Sequence, residues 1–120
     1  MNRMLIATSA FVAISLGTVN AQTVGRGSDG FDRTIRVCNN SGGGWSSRIV
    51  HVYATHVDRD DWGDDRLDGH ISVGDCRNIN PGGVQGYCMI DFRAVDASGR
   101  EATRTLNACE ESAWNIRRMN

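Results

Sequence analysis

Past residue 32 the chain is built of short runs in which apolar and polar positions alternate. From Arg33 to Cys38, Ile35 and Val37 fall on one face and Thr34 and Arg36 on the other. A period of two is that of a half-buried strand. Ser47 to Val57 predicts a second strand, rich in β-branched residues and carrying Tyr53. His70 to Val73 and Cys76 to Asn80 predict two short ones. Tyr87 to Val95 and Glu101 to Cys109 flank Asp96-Ala97-Ser98-Gly99, which reads as a hairpin with Gly99 at its left-handed position. Trp114 and Ile116, two apart, predict a closing edge strand. Turn-forming segments separate the runs: Asn39 to Gly44, Asp58 to Asp68, Gly74-Asp75, and Pro81-Gly82-Gly83. With 14 glycines and one proline, the pattern predicts an all-β domain. The expected form is a small antiparallel β-sandwich or partly open barrel of about six to eight strands.

The first 32 residues follow another logic. Met1-Asn2-Arg3 is a short basic start, Met4 to Leu16 is apolar, and Val19-Asn20-Ala21 supplies small residues where a signal peptidase reads. Residues 1–21 therefore read as a secretory signal peptide cut after Ala21. The apolar run is too short to span a bilayer, which takes about 20 residues. Residues 22–32 are polar and glycine-rich and predict a flexible arm. Residues 33–120 remain as one β-domain. No second apolar run follows, so the expected mature protein is soluble, without a membrane span, and periplasmic or secreted.

Export changes the meaning of the cysteines. Cys38, Cys76, Cys88 and Cys109 all lie beyond the cut, in a compartment where disulfides persist. A chain of this size buries only about 60–70% of its unfolded surface, so cross-links would help it. Four cysteines allow three pairings. Cys88 and Cys109 are nearly equidistant from the hairpin turn, and facing residues of an antiparallel pair lie within disulfide reach. That favours Cys88–Cys109 and leaves Cys38–Cys76 by elimination. A one-residue bulge would spoil the facing argument, so the other two pairings stay open.

The formal net charge is −1, which argues against nucleic acid and anionic membranes as partners. All 13 basic residues are arginine, so there is no candidate Schiff-base lysine.

The order of motifs carries a resemblance. A strand ending in asparagines precedes Tyr53-Ala54. Asp61-Trp62-Gly63-Asp64-Asp65-Arg66-Leu67 and Pro81-Gly82 come next. Cys88 to Val95, Asp96 to Glu101, and Asn107-Ala108-Cys109 close the chain. This order resembles a family of small exported bacterial proteins of uncharacterised function, over nearly all of the mature chain. The resemblance implies a compact β-domain, sometimes in tandem, and brings no activity and no catalytic residue. Cys38 and Cys76 are additions to its pattern.

Candidate chemistry concentrates in the acidic loop. Asp58, Asp60, Asp61, Asp64, Asp65 and Asp68 crowd together, with Arg59 and Arg66 between them. Closely spaced carboxylates are what calcium wants. A calcium-loop template finds Asp64, Asp68, Gly69, Ile71 and Asp75 but fails at Arg66, so Asp64, Asp68 and Asp75 are weak metal candidates. The plainer reading is a solvated turn in which aspartates bond nearby amides. Trp62 either folds back with Leu67 to cap the β-core or stands out as a binding anchor flanked by Arg59 and Arg66. Tryptophan and arginine are enriched at interface hot spots. Trp45, in a glycine-rich loop, is the second such anchor. His51, His56 and His70 offer imidazoles to zinc or copper, but His51 and His56 should point to opposite faces of their strand.

Little else suggests catalysis. Oxidised cysteines are not nucleophiles, and no serine sits in a nucleophile elbow. Gly42-Gly43-Gly44 lacks the lysine of a phosphate loop. Asp91 and Arg93 read as a surface pair, Glu101 as a further carboxylate near the hairpin, and Asn39-Asn40-Ser41 as a formal glycosylation triplet. The expected function is non-enzymatic and needs no cofactor: an exported domain that recognises an unknown protein in the envelope or medium through its loops, of inhibitor or immunity type. The alternative is a calcium or glycan binder using residues 58–68.

Overall fold

A computed structural model describes residues 29–120. The predicted signal peptide and residues 22–28 of the predicted arm lie outside the described residues. These residues form β1 (Ile35–Asn39), β2 (Ile49–His56), β3 (Cys76–Ile79), β4 (Met89–Asp96), β5 (Glu101–Asn107) and β6 (Ala113–Ile116). They make two three-stranded sheets, ordered β3-β1-β6 and β2-β4-β5. The arrangement is a small β-sandwich and not a closed barrel. No helix among the described residues is long and apolar enough to cross a membrane.

Alternation sets the faces. Along β4, Ile90, Phe92 and Ala94 are fully buried while Asp91, Arg93 and Val95 are only partly so. Ile35 and Val37 of β1 and Trp114 and Ile116 of β6 complete the core from the other sheet. The Phe92 and Trp114 rings meet edge to face, 6.3 Å apart at 62°, in the geometry that aromatic quadrupoles favour. That contact joins the two sheets.

Both favoured disulfides are present, Cys38–Cys76 and Cys88–Cys109. Cys38 stands directly opposite Cys76 in the antiparallel β1–β3 ladder. The facing argument for the other pair is off by one residue. Val95 pairs with Glu101 and Met89 with Asn107, and Ala108 N–H donates to the Cys88 carbonyl. Cys88 therefore faces Ala108, and Cys109 reaches it from the first residue past the ladder, with Cα atoms 5.1 Å apart. The cause is the turn. Asp96 and Arg100 close it, so the loop holds three residues and not four, with Gly99 at φ 91°. This is the form that ends in a left-handed residue.

Three other expectations need correction. β6 runs parallel to β1, so the sandwich is not wholly antiparallel. Residues 70–73 are no strand: only Ile71 makes a bridge, to Ile49. Arg33 does not begin β1. It is 3% exposed, its guanidinium grips both Asp29 carboxylate oxygens, and Nε donates to the Tyr87 carbonyl. Asp29 also accepts from Gly86 N–H. The Arg33 hydrogen bond holds the Asp29 carboxyl far below its ordinary value against a modest burial penalty, and the Phe31 and Gly86 amides add to it. The last four residues of the predicted arm, 29–32, are thus tied to the domain.

Asn39 ends β1 as a fully buried side chain. Its Nδ2 donates to the carbonyls of Ser47 and Ile71 (2.9 and 3.0 Å), and its Oδ1 accepts from Ser41. It ties the end of one sheet to the entry of the other. In the folded protein this nitrogen has no hydrogen left for a glycan, whatever the Asn39-Asn40-Ser41 triplet spells. Asn39→Ala strands the Ser47 carbonyl and takes one of two donors from the Ile71 carbonyl, which keeps the Ile49 N–H, and a buried unsatisfied acceptor costs about 1–3 kcal/mol. We expect a loss of about 2 kcal/mol, read from urea unfolding midpoints. A midpoint equal to the parent's would show that water replaces the amide.

Candidate functional site

Residues 58–68 leave the end of β2 and return along its free edge. Asp65 Oδ1 accepts the N–H groups of Val52 (2.9 Å) and Leu67 (3.0 Å), and Arg66 N–H donates to the Val52 carbonyl at 2.7 Å. The acidic loop thus occupies hydrogen-bonding groups that β2, an edge strand, would otherwise leave open. Asp65 Oδ2 lies 2.7 Å from His51 Nδ1. Burial pushes the Asp65 carboxyl up, but the His51 contact and the two amides outweigh it and hold the group below its ordinary value.

From His51 a row of side chains crosses the outer face of the sheet. His51 stacks near Tyr53, with centroids 6.1 Å apart. The Arg93 guanidinium lies 5.5 Å from the Tyr53 ring centre. Arg93 then makes two hydrogen bonds to Glu101, at 2.9 and 3.0 Å, and this bidentate grip lowers the Glu101 carboxyl. Asp91 is therefore not the partner of Arg93. It accepts the hydroxyl of Thr105, which stands opposite it. Thr105 directly faces Asp91, about 5 Å away, while Glu101 lies diagonally from Arg93, whose long side chain spans the gap. Register defeats proximity in sequence.

The nominated anchors do not converge. Trp62 is half-buried and lines a groove of about 440 Å³ with Asp91, Thr103, Arg104 and Thr105. Leu67 packs on the core, as the capping reading requires, but Trp62 lies over β4 and β5 instead. Arg59 pairs with Asp61 at 3.1 Å. Arg66 reaches the Pro-Gly turn, its Nη1 3.2 Å from where a Cβ on Gly82 would stand. Neither arginine is a free flank of Trp62.

Trp45 stands apart from these and is 68% exposed. It opens a single 3-10 turn, Trp45–Ser47. The Arg48 guanidinium covers its ring at 3.9 Å, Arg48 Nη1 donates to its carbonyl, and His70 meets it edge-on at 5.6 Å. One of the glycines before it, Gly43, has a steric reason. A Cβ on Gly43 would fall 1.8 Å from Ser47 Oγ, which accepts a hydrogen bond from Arg100.

No three His, Cys, Asp or Glu side chains of the described residues gather into a group able to hold a metal ion. Asp68 gives its backbone carbonyl to Arg77 and Asp75 gives its own to Asn39. The histidines are spread: His51 is beside Asp65, His56 stacks on Tyr87 at 4.0 Å, and His70 touches Trp45. His51 and His56 do lie on opposite faces, paired with Val95 and Ile90 respectively.

Sequence reasoning missed the polar group at the hairpin tip. Asp96 is 1% exposed. It accepts from the Ser98 N–H and hydroxyl, the Arg100 N–H and Arg100 Nε. The signal was present in Asp96-Ala97-Ser98-Gly99-Arg100, an aspartate placed to bond amides two and four residues on.

No protein-family model, curated protein or solved structure matches this chain. The family resemblance drawn from motif order rests on the sequence alone.

Proposed function

We propose that this is an exported, non-enzymatic binding domain that recognises a protein partner through its loops, in the manner of an inhibitor or immunity protein. The observation that carries the reading is Trp45. It is a large ring left in solvent yet held by Arg48 above it and His70 at its edge. A side chain ordered before binding loses less entropy on binding, and tryptophan beside arginine is the composition of a hot spot. Two disulfides stiffen the scaffold behind it and fit an oxidising extracellular or periplasmic compartment.

The test uses the oxidised mature protein as bait for envelope and culture fractions, with Trp45→Ala alongside. Because Trp45 packs on the surface only, its replacement should shift stability by no more than about 0.5 kcal/mol. One protein should bind the parent and lose at least 2 kcal/mol of affinity, roughly thirtyfold, in the variant. Equal retention by both baits would remove Trp45 from the interface.

A further inference from the structure

We propose that the free edge of β5 is a second binding site, which takes up an extended peptide strand alternating acidic and apolar side chains. The ladder shows which backbone groups are open. Asp96 N–H donates to the Arg100 carbonyl and Ala108 N–H to the Cys88 carbonyl across the hairpin. In an antiparallel pair such bonds fall on every second residue, so Ala102, Arg104 and Leu106 turn inward to β4. Glu101, Thr103, Thr105 and Asn107 turn their N–H and C=O groups outward. Two of these four are capped. Glu101 exchanges both bonds with Asn120, and Asn107 meets Glu111 through its N–H and its carbonyl. Thr103 and Thr105 are left, a window with two donors and two acceptors.

The surroundings of that window select the occupant. Two grooves meet at Thr103. On the outer face is the groove walled by Trp62, which suits an apolar side chain. On the inner side a groove of about 390 Å³ runs between Thr103, Glu101, Trp114, Arg117, Arg118 and Asn120. Glu101 is engaged by Arg93. Arg117 and Arg118 are exposed and have no carboxylate partner among the described residues. A strand laid on β5 sends successive side chains to opposite faces. Acidic residues would meet the two arginines and the residues between them would meet Trp62. A second copy of the chain fits worse. Antiparallel pairing across this window sets Arg104, already paired with Glu111, against its own copy and brings no free carboxylate to Arg117 and Arg118. Main-chain bonds would supply affinity and the two grooves specificity, as in strand addition generally.

The surface shares no residue with Trp45, so its test stands apart from the one above. Isotope-labelled oxidised protein is titrated with a capped peptide alternating glutamate and valine, and separately with its lysine counterpart. The glutamate peptide should shift the Thr103 and Thr105 amide resonances and slow their hydrogen exchange, with a Kd of about 1 mM or tighter. The lysine peptide should not. Thr103→Pro removes one outward N–H and no bond to β4, a position where an edge strand tolerates proline, and should abolish binding in a folded protein. Arg117→Glu with Arg118→Glu should weaken it at least tenfold. Unmoved Thr103 and Thr105 amides, or equal binding of both peptides, would overturn the proposal.

Discussion

Replacing Cys38 and Cys76 together by alanine is expected to lower stability by about 4 kcal/mol, and replacing Cys88 and Cys109 by about 3 kcal/mol. The order follows from the chain closed by each bond. The first spans 38 residues and the second 21, and the entropy withheld from the unfolded chain grows with the logarithm of that length. The second bond also closes a hairpin whose ladder already holds the same two strands. The first pins β3, four residues long, to β1. A domain of this size holds about 5–14 kcal/mol in all, so either loss is a large share. Guanidinium unfolding of the two double variants measures it. If the Cys88–Cys109 variant proves the weaker, chain entropy is not what these bonds supply.

Asp96→Asn should cost about 2–3 kcal/mol at neutral pH, the range for removing a hydrogen-bonded charge from a buried site. The cost should shrink as the solution is acidified. Burial raises the Asp96 carboxyl, but the Ser98 and Arg100 bonds and the Arg100 charge outweigh it, and the group lies below its ordinary 3.8. A carboxyl lowered by folding gives its full stabilisation above the unfolded value and loses it as pH falls through the folded one. Parent and variant should therefore differ most above about pH 4 and draw together as the solution is acidified below it. Thermal melts of both across that range test this. A constant gap would mean that Asp96 acts through shape and not charge.

The elements that sequence predicted well are those whose reasons are local. Ile90, Phe92 and Ala94 alternate with polar residues, Gly99 marks the turn, and the β4–β5 hairpin follows from these alone. The loop length within that hairpin was misjudged because Asp96 looks like a turn residue and is in fact the last residue of a strand. The neighbours of β1 were not legible. β6 lies more than seventy residues away and runs parallel to β1, and no periodicity records which distant strands meet. Burial of polar side chains was hidden for the same reason. Arg33 was read only as the start of a strand and Asn39 as the start of a turn, and the partners that bury them, Tyr87 and Ile71, come from segments far along the chain. At the candidate site, Trp45 was legible as a lone tryptophan among glycines. Trp62, Arg59 and Arg66 were grouped because they are adjacent in sequence, yet a loop that doubles back along β2 sends them to different targets.

The place of β1 between β3 and β6 governs when this chain can finish folding. β1 belongs to the first described residues made, and one of its two partners, β6, is among the last. While the polypeptide is still emerging, amino terminus first, β1 has nothing to lie against on that side, and Trp114 is not yet there to meet Phe92. The sandwich closes only after residue 116 is free. Until then the sheet β3-β1-β6 lacks an edge strand, although β2, β4 and β5 have already been made, so one half of the sandwich waits for its cover.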